Sequence, residues 1–282
     1  MKPVLVIGST CVDIIINIDH LPKTQENLRP TAQSMALGGC AYNVAYVMNL
    51  FRAPHTFISP VGGGTYGDYV LKELKKQGRD VPIYLPEQEK EIPLLIPCPE
   101  EENGCCYCLV EASGERTFLS YHGVEYTFQK DWMKDYPATD YSMAYICGLE
   151  VEEPTGGNLV EYLEEHPELS VCFAPGPRGV RIQAGRLERI FALSPMLHIN
   201  ELEAEALTGT GDIPAAARKL QDATHNTVII TLGEHGTYCL EQNGDSYTIP
   251  GVPAQVVDTI GAGDSHIGAI LSCLTADIPL RQ

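Results

Sequence analysis

The sequence predicts an α/β fold, a mainly parallel central sheet flanked by helices with a small second β-sheet, and three observations carry that expectation. In the second half, short β-rich runs (YSMAYICG, LSVCFAPG, MLHIN, TVIITLG) alternate with helical stretches (NLVEYLEEH, GRLERIFA, ELEAEALTG, IPAAARKLQ). This is the rhythm of βα units whose sheet is covered on both faces. The opening VLVIGST is an apolar run ending in glycine, as a buried parallel strand feeding a loop would be. The first half carries further strand-like pieces, IIINI after Asp13, then TAQSMAL, IPLLIP, CCYCLVEAS and RTFLSY. They interrupt the alternation and predict a separate small sheet, drawn from about 14–37 and 92–121.

The remaining elements follow in order. From Asn43, NVAYVMNLF has apolar residues at helical spacing; HTFISPV and GDYVLKELKKQG then repeat the strand–loop–helix rhythm. No internal repeat and no proline- or serine-rich linker divides the chain, so residues 1–282 are expected to form one domain with the small sheet as an insertion or lid. In such sheets ligands bind beyond the carboxyl ends of the strands, which puts the motif-bearing loops along one edge.

Composition narrows the function. The chain has 37 acidic and 19 basic side chains, a formal net charge of −18, which repels a nucleic-acid backbone. An anionic ligand would have to be held by local backbone N–H groups and a metal against that field. The longest apolar stretch, Val4 to Ile18, is broken by Gly8, Asp13 and Asn17 and falls short of the ~20 residues that span a bilayer, so no membrane segment is expected. Ten scattered cysteines and a start without signal-peptide character point to a reducing cytoplasm. Cys105, Cys106 and Cys108 lack CxxC spacing and read as alternating strand residues rather than a metal site.

The segment VVDTIGAGDSHIGAILSCL carries the most chemistry: a strand end, a glycine-rich turn, then a helix from about Ala262. Glycines at 261 and 263 leave backbone N–H groups uncovered at a helix N-terminus, where free donors and the macrodipole favour a developing phosphate charge. Asp264 lies in the same first turn. Capping alone accounts for many first-turn aspartates, but a carboxylate beside an anion hole is also suited to take a proton from an attacking hydroxyl.

The run Asp258-Thr259-Ile260-Gly261-Ala262-Gly263-Asp264 resembles the DTxGAGD signature of the ribokinase-like (PfkB-type) carbohydrate kinases. Gly38-Gly39-Cys40-Ala41-Tyr42-Asn43 is similar to that family's GGxxxN segment, Gly8 to Asp13 to its first-strand GxxxxD, Asn200 to Glu203 to its NxxE, and Thr231 to Gly236 to its nucleotide-loop TLGxxG. The order agrees over nearly the whole chain. The resemblance implies a ribokinase-like fold and MgATP-dependent phosphorylation of a sugar or sugar-like hydroxyl. It makes Asp264 the base, with the Gly261, Ala262 and Gly263 amides as anion hole. Asp13, Gly39, Asn43 and Glu150 would bind substrate, and Asn200, Thr231, Gly233, Gly236 and Thr259 the nucleotide. Glu203 would hold Mg²⁺ through water, K⁺ would be a further cofactor, and the lid would support a homodimer. A nucleoside kinase on the same scaffold, or a catalytically weak sugar-binding regulatory relative, are the alternatives.

Two departures stand out. The position after Ser265 is usually phenylalanine in the family and here is His266, expected to be a structural histidine. Relatives continue beyond ADIPLRQ through a helical segment that helps enclose adenine and complete a monovalent-cation site, so the resemblance implies a shortened C-terminus with weakened nucleotide affinity. Gly62 to Gly67 satisfies GxGxxG, but the acidic residue about twenty further on, Glu87, falls in the loop PEQEKE rather than at a second strand end. Tyr42, the segment SGERTFLSYHG and Arg178 are candidates to shape the acceptor pocket.

Overall fold

The computed structural model describes residues 2–80, 95–255 and 259–281. Asp258 and Glu87 lie outside them. Among the described residues a nine-stranded sheet forms the centre. Its parallel part contains β1 (Val4–Ile7), β4 (His55–Gly63), β5 (Leu95–Glu102), β8 (Met143–Cys147), β9 (Ser170–Ala174), β10 (Met196–Asn200) and β11 (Val228–Thr231). The antiparallel strands β12 (Thr237–Leu240) and β13 (Ser246–Ile249) complete one edge. The spatial order is β13-β12-β11-β10-β9-β8-β1-β4-β5. Every residue of β1 is buried, as both-face coverage demands. The order reverses direction at β1, with β4 on one side and β8 on the other, and this crevice is where ligands sit in open α/β sheets.

The helices are α1 (Cys40–Leu50), α2 (Gly64–Asp80), α3 (Gly148–Glu152), α4 (Gly156–Glu165), α5 (Ala184–Ala192), α6 (Glu201–Thr208), α7 (Ile213–Thr224) and α8 (Ala262–Thr275). Local chemistry explains several ends. Asp212 caps α7 by accepting from the Ala215 N–H at 3.2 Å, with proline in the first turn. Helices α1 and α8 pack at Gly268, where an added Cβ would stand 3.0 Å from Val47 Cβ and 3.1 Å from the Val44 carbonyl oxygen. That close approach sets the N-terminal half of α1 beside the first turn of α8.

The second sheet has four strands in the order β3-β2-β6-β7: β2 (Cys11–Ile18), β3 (Ala32–Gly38), β6 (Cys105–Glu111) and β7 (Arg116–Tyr121). It is mixed, because β2 pairs with β6 in parallel while the outer pairings are antiparallel. One expectation is corrected: residues 95–102, assigned to the small sheet, form β5 on the edge of the central sheet, with Ser59 opposite Leu95 and Val61 opposite Pro97. Periodicity cannot tell which sheet an apolar run joins; the partner strand β4 decides it. The chain enters β6 and leaves β7 past one buried carboxylate, Glu125, which accepts from the Gly104 N–H at 2.7 Å and the Gly123 N–H at 3.0 Å. It pins both ends of the β6–β7 hairpin.

Candidate active site

Asp264 occupies the first turn of α8, whose N-cap Gly261 takes the left-handed conformation (φ 69°) and which has no side-chain cap. The Ala262 N–H donates to the Thr259 carbonyl at 3.2 Å, so of the three amides expected in the anion hole this one is engaged within the turn. A Cβ at Gly263 would meet nothing within 4 Å, and Gly263 faces a cavity of about 310 Å³ that Asp264, Cys40, Asn200, Glu203, Thr231 and Arg178 also line. The helix terminus therefore opens into space of ligand size with its dipole directed there.

Asn43 reaches from α1 and donates from Nδ2 to Asp264 Oδ2 at 2.8 Å. Burial pushes the Asp264 carboxyl above the usual carboxylate range; hydrogen bonds from Asn43 and Cys40 oppose the rise. The Asp264 carboxylate is thus oriented by a neutral amide that leaves its second oxygen free of that contact, an arrangement suited to proton acceptance.

On the opposite wall Asn200 and Glu203 form a capping box at the start of α6: the Glu203 N–H donates to Asn200 Oδ1 at 2.8 Å, and the Asn200 N–H to Glu203 Oε2 at 3.1 Å. Capping and cavity lining coexist. Burial raises the Glu203 pKa, the Asn200 backbone bond lowers it, and the Asp264 charge raises it further. Two carboxyls that disfavour each other's charge across a cavity fit a hard cation held by carboxylates and water, so the residues present suit Mg²⁺. The lining cation Arg178 is bound through Nη2 to Glu152 Oε1 at 2.6 Å and through Nε to the other Glu152 oxygen.

Asp13 lies on β2, the strand through which the chain passes from β1 of the central sheet into the small sheet. Burial pushes Asp13 up to about 6, with the Cys11 thiol bond opposing and the Asp264 charge adding to the rise. The register puts Asp13 opposite Cys106 on β6, and Gly38 makes room for it, since a Cβ there would stand 2.2 Å from Asp13 Oδ2. Gly39 is fixed by close approach to the Ser9 carbonyl oxygen, 2.4 Å from an added Cβ. Glu150 is 2% exposed and bonded within the protein, accepting from the Ser9 N–H at 2.7 Å and the Cys147 thiol at 2.6 Å. That geometry holds the β1–β2 loop against α3 and leaves Glu150 behind the loop.

Other expected residues separate. Thr231 lines the cavity. Gly236 is required by the β12–β13 hairpin, because a Cβ would stand 2.0 Å from the Ile249 carbonyl oxygen, whereas Gly233 faces open space. Thr259 accepts from Arg116 Nη1 of β7 at 2.6 Å, so the small sheet touches the signature turn. Tyr42 turns away, its hydroxyl donating to Gln77 Oε1 at 2.9 Å. The Gly62 N–H donates to Asn103 Oδ1 at 3.1 Å, so that amide of the GxGxxG run is engaged by a side chain. His266 bridges His198 Nε2 at 2.9 Å and Thr237 Oγ1 at 3.1 Å, a satisfied structural histidine. The cysteines around Asp264 and Asp13 and the Arg116 contact were not foreseen; they arise from strand register and helix packing.

Comparison with known proteins agrees with this architecture. A family model described as pfkB family carbohydrate kinase matches residues 1–282. YegV of Escherichia coli K12, described as an uncharacterized sugar kinase, is 32% identical over 285 residues, covering 100% of this chain and 84% of its own. An Arabidopsis thaliana ribokinase solved with ribose and ATP superimposes with a TM-score of 0.79 at 20% identity, covering 99% of this chain and 88% of that one. A Burkholderia thailandensis nucleoside kinase solved with inosine gives 0.74 at 19%, covering 98% and 84%. These two likenesses show the fold. The family match and the relative at 32% identity show that the chain belongs to the pfkB family of carbohydrate kinases, ATP-dependent enzymes.

Proposed function

We propose that the chain transfers the γ-phosphoryl group of MgATP to a hydroxyl of a sugar or sugar-like acceptor, with Asp264 as general base. The observation that carries the reading is the Asn43–Asp264 pair at 2.8 Å, half-buried at the N-terminus of α8, with Asp264 open to the cavity that Gly263, Asn200 and Glu203 also line. Asp264 takes the acceptor proton while Asn43 holds the carboxylate in line. The Gly263 N–H and the α8 dipole stabilise charge on the transferring group, and Asp13 accepts from a second acceptor hydroxyl. Asn200 and Glu203 would hold Mg²⁺, Glu203 through water, and the ion would neutralise phosphate charge there. Gly233 and Thr231 line the nucleotide end. The β2-β3-β6-β7 sheet acts as a lid that excludes water, with Arg116 as its contact to the signature turn.

The setting is cytoplasmic, in keeping with ten free cysteines. The exposed Leu119 and Tyr121, on the lid face away from Asp13, form a homodimer contact, to be checked by light scattering of the wild type against Leu119→Lys.

The test is ADP release from MgATP with K⁺ across sugars, sugar acids and nucleosides, for wild type and Asp264→Asn. Acceptor-dependent turnover should fall by roughly 10³-fold in the variant with folding retained, the scale of a lost general base. Near-normal turnover in Asp264→Asn would remove Asp264 as the base; a nucleoside as best acceptor would move the substrate class.

A further inference from the structure

The face of the small sheet that holds Asp13 is lined with thiols. Because β2 and β6 run parallel with Asp13 opposite Cys106, the period-2 alternation places Cys106 and Cys108 on the same face as Asp13. Cys105 points the other way and is buried. One ligand atom each from Asp13, Cys106 and Cys108 lies within 4.8 Å of the others. The Cys106 and Cys108 sulfurs are 3.8 Å apart. Two sulfurs bound to one tetrahedral Zn²⁺ at about 2.3 Å stand about 3.8 Å apart, so the sulfur pair already has the spacing of a zinc chelate.

The surroundings suit an ion as well. Ser120 donates from Oγ to the Cys106 sulfur at 3.4 Å, the kind of outer contact that orients a ligand. The Cys11 thiol stands 3.7 Å from Asp13 Oδ1 as a further sulfur behind the carboxylate. Asp13 and Cys106 are half-buried, so the set is reached from the acceptor side, while Cys108 is buried beneath them. A hydroxyl-binding pocket needs strong hydrogen-bonding groups, and thiols are weak ones. Two thiols and a carboxylate are instead a soft-to-borderline donor set, which selects Zn²⁺ over Mg²⁺.

We propose that Asp13, Cys106 and Cys108 form a Zn²⁺ site with its fourth position open to water, and that filling it blocks the acceptor pocket. Binding releases one proton from each thiol. The blocking half rests on the assignment of Asp13 to the acceptor hydroxyl; the site itself rests only on the sulfur and carboxylate geometry.

The experiment is a Co²⁺ titration of the reduced, chelator-stripped full chain, followed by the thiolate-to-cobalt charge-transfer absorbance. One equivalent should saturate a band that Zn²⁺ displaces, that persists in Asp264→Asn, and that is lost in Cys106→Ser/Cys108→Ser with an unchanged circular dichroism spectrum. A wild type without the band, or a double variant that keeps it, would overturn the site. In the kinase assay Zn²⁺ should raise the acceptor KM with little change in kcat, and the double variant should lose that response. A band of the expected stoichiometry with no effect on acceptor KM would overturn the blocking and separate it from a failure of the site.

Discussion

In the proposed reaction the phosphate-binding and acceptor-binding groups meet at Asp264, yet they are assembled from different kinds of structure. On the phosphate side each group sits at a helix terminus: Gly263 and Asp264 in the first turn of α8, Asn200 and Glu203 in the capping box of α6. Their positions follow from a few consecutive residues. On the acceptor side Asp13 is placed by the pairing of β2 with β6 and β3, strands separated by long stretches of chain, and Glu150 holds the β1–β2 loop from behind. Damage to the first side should act on turnover, and damage to the second on acceptor binding.

The sharpest way to break that division is Gly263→Val. The new side chain has room, because nothing lies within 4 Å of the added Cβ, so the fold should survive while the methyl groups fill the anion hole. A loss of about 10²–10³-fold in kcat, with acceptor KM nearly constant, is expected from blocking a transition-state donor. A variant that changed KM instead would place the acceptor, not the phosphate, against α8.

Next in size is Asp13→Asn, for which acceptor KM should rise about 10- to 100-fold while kcat falls less, as for a lost charge-assisted hydrogen bond of ~1.5–3 kcal/mol. Burial pushes Asp13 up to about 6. The wild-type KM should therefore climb as pH falls through about 6, where the carboxylate becomes protonated and no longer accepts freely. Asp13→Asn should flatten that limb of the KM profile but keep an acid limb in kcat, since Asp264 must also be ionised and burial raises it as well. Identical acid limbs in the two proteins would remove Asp13 from the acceptor.

The same division explains what could be read from the sequence. The helix starts that carry Gly263, Asp264, Asn200 and Glu203 were legible because a helix start is a local event in which glycine, asparagine and glutamate have preferred places, whereas the roles given to these residues rest on the resemblance. The alternation of strands and helices likewise gave the central sheet. Strand partners are not local, and so residues 95–102, which form β5, were assigned to the wrong sheet. Cys106 and Cys108 looked like ordinary alternation until the parallel pairing with β2 set them against Asp13. The resemblance gave Glu150 to the substrate; its bonds to Ser9 and Cys147, which depend on the close approach of β8 to the β1–β2 loop, could not be read from the sequence.

Glu203→Gln sharpens the phosphate side at smaller scale. Glutamine can still close a capping box, so stability should change by less than about 1 kcal/mol. The Mg²⁺ concentration for half-maximal rate should rise several-fold in a metal titration, because one negative charge leaves the cavity. An unchanged titration would leave Glu203 with the capping role alone.

The smallest expected effect on catalysis is that of His266→Phe, since His266 bonds to His198 and Thr237 rather than to Asp264. Turnover should change little. Removing His266 leaves the buried His198 Nε2 without this partner, a cost of about 1–3 kcal/mol set against the apolar packing of phenylalanine. The pH dependence gives a cleaner reading. Burial lowers both imidazoles below the ordinary 6.5, His198 to about 3 with the His266 contribution second. Between those limits the unfolded chain binds protons that the folded chain refuses, so these groups make stability fall as pH drops below about 6.5. Carboxyls with raised pKa, such as Asp13, run the other way, favouring the fold at low pH and losing that contribution as pH rises through about 6. Both proteins share those carboxyls, so the difference between their denaturation profiles isolates the imidazoles. A shallower acid slope in His266→Phe is expected; parallel slopes would mean that His266 takes up its proton in the folded state without penalty.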